Sequence, residues 1–157
     1  MAKKALTLIV SVVIAQSAGI VGSVFTAPNI DTWYAFLEKP VFSPPDWLFA
    51  PAWITLYFLM GIAAFLVWQK RQLKDSKIAL YFYCSQLVLN ALWSVVFFGM
   101  QNPLWGLVVI IFLWLLILIT LLKFWKIDRL AGLLFVPYLL WVSFASVLNF
   151  SIWQLNL

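Results

Sequence analysis

The chain has 157 residues, 66% of them hydrophobic and only 10% charged, with a net charge of +5 and a strongly positive mean hydropathy. A soluble domain of that length has no interior large enough for so much apolar surface, so the bilayer is its solvent. It contains no His and a single Cys, Cys84. That excludes His-bearing metal clusters, the usual haem axial ligands, a Ser-His-Asp triad and an internal disulfide.

Residues 5–30 carry no charge and predict a first transmembrane helix over 5–27. Lys3 and Lys4 precede it as they would a secretory signal. The apolar run is too long for one, however, and no small-x-small cleavage site follows. Ala15, Gly19 and Ser23, with Gly22 and Thr26 on an adjoining line, form a small-residue face. It suits close packing within the monomer or a dimer contact equally. The long connection over 28–45 includes Pro40, Pro44 and Pro45 and reads as a stiff lid. The second helix is predicted over 46–69, with Ser43 as cap, Pro44 at the first helical position and Asp46 completing an S-x-x-D box. Pro51 is expected to release the Trp47 carbonyl and bend that helix.

The uncharged run from Ile78 to Leu122 is 45 residues long. As one helix it would reach roughly 67 Å, against a hydrocarbon core of ~30 Å. It must cross twice, and GMQNPLWG (99–106) supplies the turn, giving helices over 78–99 and 104–123. Cys84 lies mid-span and reads as a small packing residue. A fifth helix is predicted over 130–153. The fold class is therefore all-α, one membrane domain over 1–157 built as a bundle of five transmembrane helices. Nine of the ten Lys and Arg residues fall on one side, Lys39 being the exception. This places the N-terminus in the cytoplasm and the C-terminus outside. Topology accounts for the positive charge, so no nucleic-acid partner is invoked.

The interiors of the spans lack Asp, Glu, Lys, Arg and His, which argues against proton relays, ion coupling and charged selectivity filters. Of the ten Trp, six (Trp33, Trp47, Trp68, Trp105, Trp125, Trp153) fall near predicted interfaces, where an aromatic belt explains them. Trp53, Trp93, Trp114 and Trp141 lie deeper. Measured at ~1.5 Å per residue from the outer end of each span, Trp53, Asn90, Trp93, Trp141, Ser146 and Asn149 fall ~6–18 Å below the surface. Gln86, Asn90, Trp93 and Ser94 share one helix face; Tyr138, Trp141, Ala145 and Leu148 share another. Interhelical hydrogen bonds with aromatic packing account for any one of these residues. Their gathering at one depth under the lid favours a pocket for a flat apolar ligand.

WYAFLEKPVFSPPDWLFAPAW, QLVLNALWSVVFFG and PYLLWVSFASVLNFSIWQLN, in that order, resemble the TspO/MBR family of tryptophan-rich sensory and translocator proteins. The resemblance implies a five-helix bundle, often a homodimer, that binds protoporphyrin IX or haem-like tetrapyrroles and other hydrophobic ligands and requires no cofactor. By motif position, Tyr34, Pro44, Phe49, Trp53 and Tyr57 would form the loop and second-helix wall. Asn90, Trp93 and Ser94 would come from the third helix, and Trp141, Ala145 and Leu148 from the fifth. Asn90 and Tyr34 would orient the ligand's polar edges. A receptor or carrier with a sensory, regulatory or transport role follows, in the lipid bilayer of a bacterial inner membrane. One alternative is a light-dependent porphyrin-degrading enzyme acting through Trp53 and Trp141, and another is a structural or signalling subunit. The segment matching the animal members' sterol-recognition stretch, LNFSIWQ, departs from it, carrying Phe150 and Gln154 where Tyr and Arg would stand, which weakens a sterol reading and leaves the tetrapyrrole one unaffected.

Overall fold

A computed structural model describes residues 2–157. Among them are five helices long and apolar enough to cross a membrane: α1 (Ala2–Ile30), α2 (Phe49–Gln69), α3 (Lys74–Ser94), α4 (Pro103–Ile127) and α5 (Arg129–Leu155). Neighbours round the bundle run α1, α2, α5, α4, α3 and back to α1. Side chains such as Val13, Ile20, Val24, Phe112, Leu140 and Val147 are exposed on the outside of this ring. In water that surface would drive aggregation; against acyl chains it is ordinary. The chain is an integral multi-pass membrane protein of the all-α class.

The helices overrun the predicted spans because polar and charged first and last turns can stand outside the hydrocarbon. α3 begins at Lys74 rather than Ile78, and α4 runs on to Ile127. α1 continues past Ala27 through Pro28. There the Asn29 and Thr32 side chains donate back to the carbonyls of Phe25 and Pro28, four residues earlier, at 2.9 and 2.8 Å.

The start of α2 differs from expectation. A single 3-10 turn, Asp46–Leu48, leads into it from Pro45, with no side-chain cap. Ser43 therefore caps nothing. Pro51 falls in the first turn of α2, where the backbone N–H has no helical partner in any case, so it interrupts no ladder.

α3 ends in a π turn, Val95–Gly99. The Met100 N–H donates 2.8 Å to the carbonyl of Val95, five residues back. The widened turn brings adjacent Phe97 and Phe98 inward together, 2% and 8% exposed. Asn102 then caps α4, accepting from the Trp105 N–H at 3.1 Å, with Pro103 at the first position. The α4–α5 turn is Asp128 alone, whose carboxylate accepts from the N–H groups of Leu130 and Ala131.

Close helix approach depends on small residues. A Cβ on Gly61 of α2 would sit 2.6 Å from the Val12 Cα of α1, and one on Gly19 would strike the Tyr57 ring. Ala15, Gly19 and Gly22 thus face α2 and α3 inside the monomer. Cys84 is exposed on the outer face of α3, not packed.

Candidate functional site

The half of the bundle next to the α2–α3 and α4–α5 turns is filled. Tyr83 stacks on Phe124 with centroids 5.9 Å apart, and Phe135 meets both edge-on. The other half, beside the loop between α1 and α2, holds a cavity of about 450 Å³ walled by α1, α2, α3 with its π turn, and α5.

Its floor is a hydrogen-bonded chain across three helices. The Tyr57 hydroxyl donates to Asn90 Oδ1. Asn90 Nδ2 donates to the Tyr138 hydroxyl at 2.9 Å, which donates to Gln86 Oε1 at 2.9 Å. Asn90 reaches the cavity, but its amide is engaged by neighbouring helices, as hydrocarbon requires of a buried amide. Trp93 is placed similarly. Its Nε1 donates to Asn149 Oδ1 at 3.1 Å, and Asn149 Nδ2 donates to the Pro103 carbonyl at 2.8 Å. One face of its ring stacks on Phe97 at 5.1 Å.

Nine residues expected at the site line the cavity: Tyr34, Phe49, Trp53, Tyr57, Asn90, Trp93, Ser94, Ala145 and Leu148. Pro44 and Trp141 do not. Pro44 lies between two tight turns of the loop, Pro40–Ser43 and Pro45–Leu48, and the chain reaches the cavity at Tyr34 on one side of it and Asp46 on the other. Trp141 stands behind the wall, edge-on to Trp53 at 6.4 Å and to Phe49 at 6.0 Å. Its Nε1 is buried without an acceptor. Trp53 presents the wall instead, stacked on Tyr57 at 5.6 Å. Trp114 is structural, donating to Ser143 Oγ at 2.7 Å.

The sequence reading missed the α1 wall, which includes Gln16, Ile20, Ser23 and Thr26, as well as Asp46, Phe97 and Phe98. The small-residue stripe was the available signal, but packing and dimer contact explain such a stripe as readily as a cavity does. Ser23 and Thr26 donate to carbonyls of their own helix, so they offer little polarity. Ile20, Ser23 and Ala27 on α1 and Asp46, Ala50 and Ile54 beside or on α2 line the cavity and are also exposed. The cavity therefore opens sideways between α1 and α2. Below that gap Gln16 Nε2 donates 3.0 Å to the Ile54 carbonyl, tying the helices.

The lid is fastened at several points. The Asn156 amide pairs with both backbone groups of Glu38 at 3.0 Å, and at the end of α1, just before the lid, Gln101 Nε2 of the α3–α4 turn donates to Asn29 Oδ1 at 3.0 Å. Trp33 and Tyr34 meet Phe97 and Phe98, at centroid distances of 5.5–6.3 Å. Tyr34 is 5% exposed. Burial first, then the negative charge of Asp46, raises its phenol above the ordinary value; Ser43 offsets this partly but makes no well-formed hydrogen bond.

Five spans around an aromatic, side-opening cavity define a class: small helical membrane proteins with an internal site suited to hydrophobic molecules. Residues 10–154 match the model of the TspO/MBR family, and the chain belongs to that family. It is 48% identical over 151 residues to the tryptophan-rich protein TspO of Archaeoglobus fulgidus, covering 96% of this chain and 97% of that one. Identity to the tryptophan-rich sensory protein of Cereibacter sphaeroides is 47% over 126 residues, covering 80% and 78%. Identity to the human translocator protein is 36% over 146 residues, covering 91% and 86%.

Proposed function

We propose that this protein is a membrane receptor or carrier that binds a tetrapyrrole, protoporphyrin IX or a haem-like molecule, and other flat hydrophobic ligands, with a sensory, regulatory or transport role. One observation carries the reading: an aromatic cavity of about 450 Å³ stands in the half of the bundle beside the loop between α1 and α2, with an opening to its side. Small-molecule sites span about 300–1,000 Å³ and are mostly apolar. Trp53 and Tyr57, already stacked, present a rigid surface whose ordering cost is met in folding rather than in binding. The family's sensory and translocator names agree with a binding role. The charge bias supports an N-terminus in the cytoplasm and a C-terminus outside, in a bacterial inner membrane. A homodimer belongs to the same reading, with its contact away from Ala15, Gly19 and Gly22, which already pack within the monomer.

The test is a protoporphyrin titration in detergent, in darkness, followed by tryptophan quenching and porphyrin absorbance. Trp53→Phe is expected to weaken binding about three- to tenfold through lost stacking. Trp141→Phe, behind the wall, should change it less. Absence of binding to the unmodified protein at micromolar porphyrin overturns the tetrapyrrole reading. A parallel illuminated sample reports porphyrin breakdown; a defined product lost in both variants would favour the degradative alternative.

A further inference from the structure

Asp46 is the one charged side chain among the described residues that line the cavity. It is exposed at the outer rim, in the turn leading into α2. Lys39, the single basic residue between 28 and 45, holds its ammonium 4.2 Å from the centroid of the Tyr34 ring. Among the described residues neither Lys39 nor Asp46 makes an ion pair, the one salt bridge being Lys70–Asp128 at the other end of the bundle. Tyr34, a wall residue, thus has an unpaired cation against its ring and feels the charge of an unpaired anion, Asp46.

The rest of the wall has no comparable feature. Asn90 is bonded to Tyr57 and Tyr138, Trp93 to Asn149, and the Ser23 and Thr26 hydroxyls to their own helix. A flat macrocycle with two carboxylates on one edge is therefore expected to enter apolar edge first, because below the rim the lining offers neutral groups such as Ser94 and the Trp53 indole but no charge to offset a desolvated carboxylate. Its acidic edge stays at the rim, within the fields of Lys39 and Asp46.

We propose that Lys39 and Asp46 are opposed specificity determinants for the acidic edge of the ligand. Lys39 attracts it and Asp46 repels it, so the rim sorts ligands by their number of free carboxylates. This rests on the tetrapyrrole reading and adds to it a preference between chemical forms of one macrocycle.

The experiment compares protoporphyrin IX with its dimethyl ester, binding to the unmodified protein, Asp46→Asn and Lys39→Gln in uncharged detergent at low salt. Asp46→Asn is expected to tighten the diacid about two- to fivefold and Lys39→Gln to weaken it by a similar factor, as for partly exposed charge pairs. The ester should bind all three alike. Both effects should shrink at about 1 M salt, where charges are screened within ~3 Å. Thermal melting of each variant checks that the bundle is intact, and Asp46→Lys, with the sign reversed, should exceed Asp46→Asn. If diacid and ester shift together, or the diacid does not shift, the rim does not sort by charge and the proposal fails while the tetrapyrrole reading stands. If neither porphyrin binds the unmodified protein, both fall.

Discussion

Asn90 shows how one side chain can serve packing and cavity together. Its position on α3 predicted a ligand contact, yet its oxygen and nitrogen are held by Tyr57 and Tyr138. It therefore fixes the floor against which a ligand rests, rather than aligning the ligand's polar edge. Tyr57→Phe removes one donor and leaves the Asn90 oxygen short of a partner, at a cost of about 0.5–1.5 kcal/mol in a membrane interior. Asn90→Ala removes both bonds, stranding the Tyr57 hydroxyl and leaving Tyr138 only its bond to Gln86, and should cost more. Unfolding in mixed micelles ranks the two; equal stability of Asn90→Ala and the unmodified protein would show that the floor bears no strain. Nothing in the sequence distinguishes Asn90 engaged by helices from Asn90 facing a guest, since both need the same residue at the same depth.

At the scale of the elements, the α2–α3 and α4–α5 turns are held by one clamp. Lys70, after α2, donates 2.9 Å to the Ile127 carbonyl and bridges Asp128 at 2.9 Å, while Asp128 caps α5. The Lys70 hydrogen bond, more than the bonds from Ala131 and Leu130, holds the Asp128 carboxyl below its usual range. A lowered folded value means the stabilisation is complete above the unfolded carboxylate value of about 3.9 and is lost as pH falls through the lower one. Lys70→Met should lower the melting temperature at neutral pH, by less than about 1 kcal/mol for a part-exposed pair. The difference should narrow in acid to what the Ile127 hydrogen bond contributes. A difference that does not narrow as pH falls through the lowered Asp128 value would assign Lys70 a packing role instead. The five elements were legible because every charged residue marks a place hydrocarbon does not reach. Their ends were less so. Lys74 and Asp75 open α3 outside the apolar zone, and Pro51 looks interior only if α2 begins at Asp46 rather than Phe49. The π turn left no mark in the sequence, since Val95–Gly99 reads as an ordinary helix end.

Across the whole molecule, the ring of helices is not uniform. α2, α3, α4 and α5 share the aromatic core, whereas α1 touches α2, α3, the π turn and the lid and buries only Ala15, Ala18 and Gly22. The same small residues that let α1 approach leave it with little apolar area to hold it in place. Trp53 and Trp141 carry a related lesson: both sit at cavity depth, but only the three-dimensional order of α2 and α5 puts one in front of the other. A thinly held helix beside an open gap makes α1 the loose plank of the hull, and a guest lodged against Ile20, Ser23 and Ala27 would caulk that seam. With Cys84→Ser as background, a thiol introduced by Ala27→Cys should react readily with maleimide in the empty protein and more slowly when protoporphyrin saturates it. An unchanged rate would mean that the guest does not rest against α1. On this reading occupancy is written into the tightness of one outer helix, and any neighbouring membrane component that presses on α1 would feel whether the hold is full.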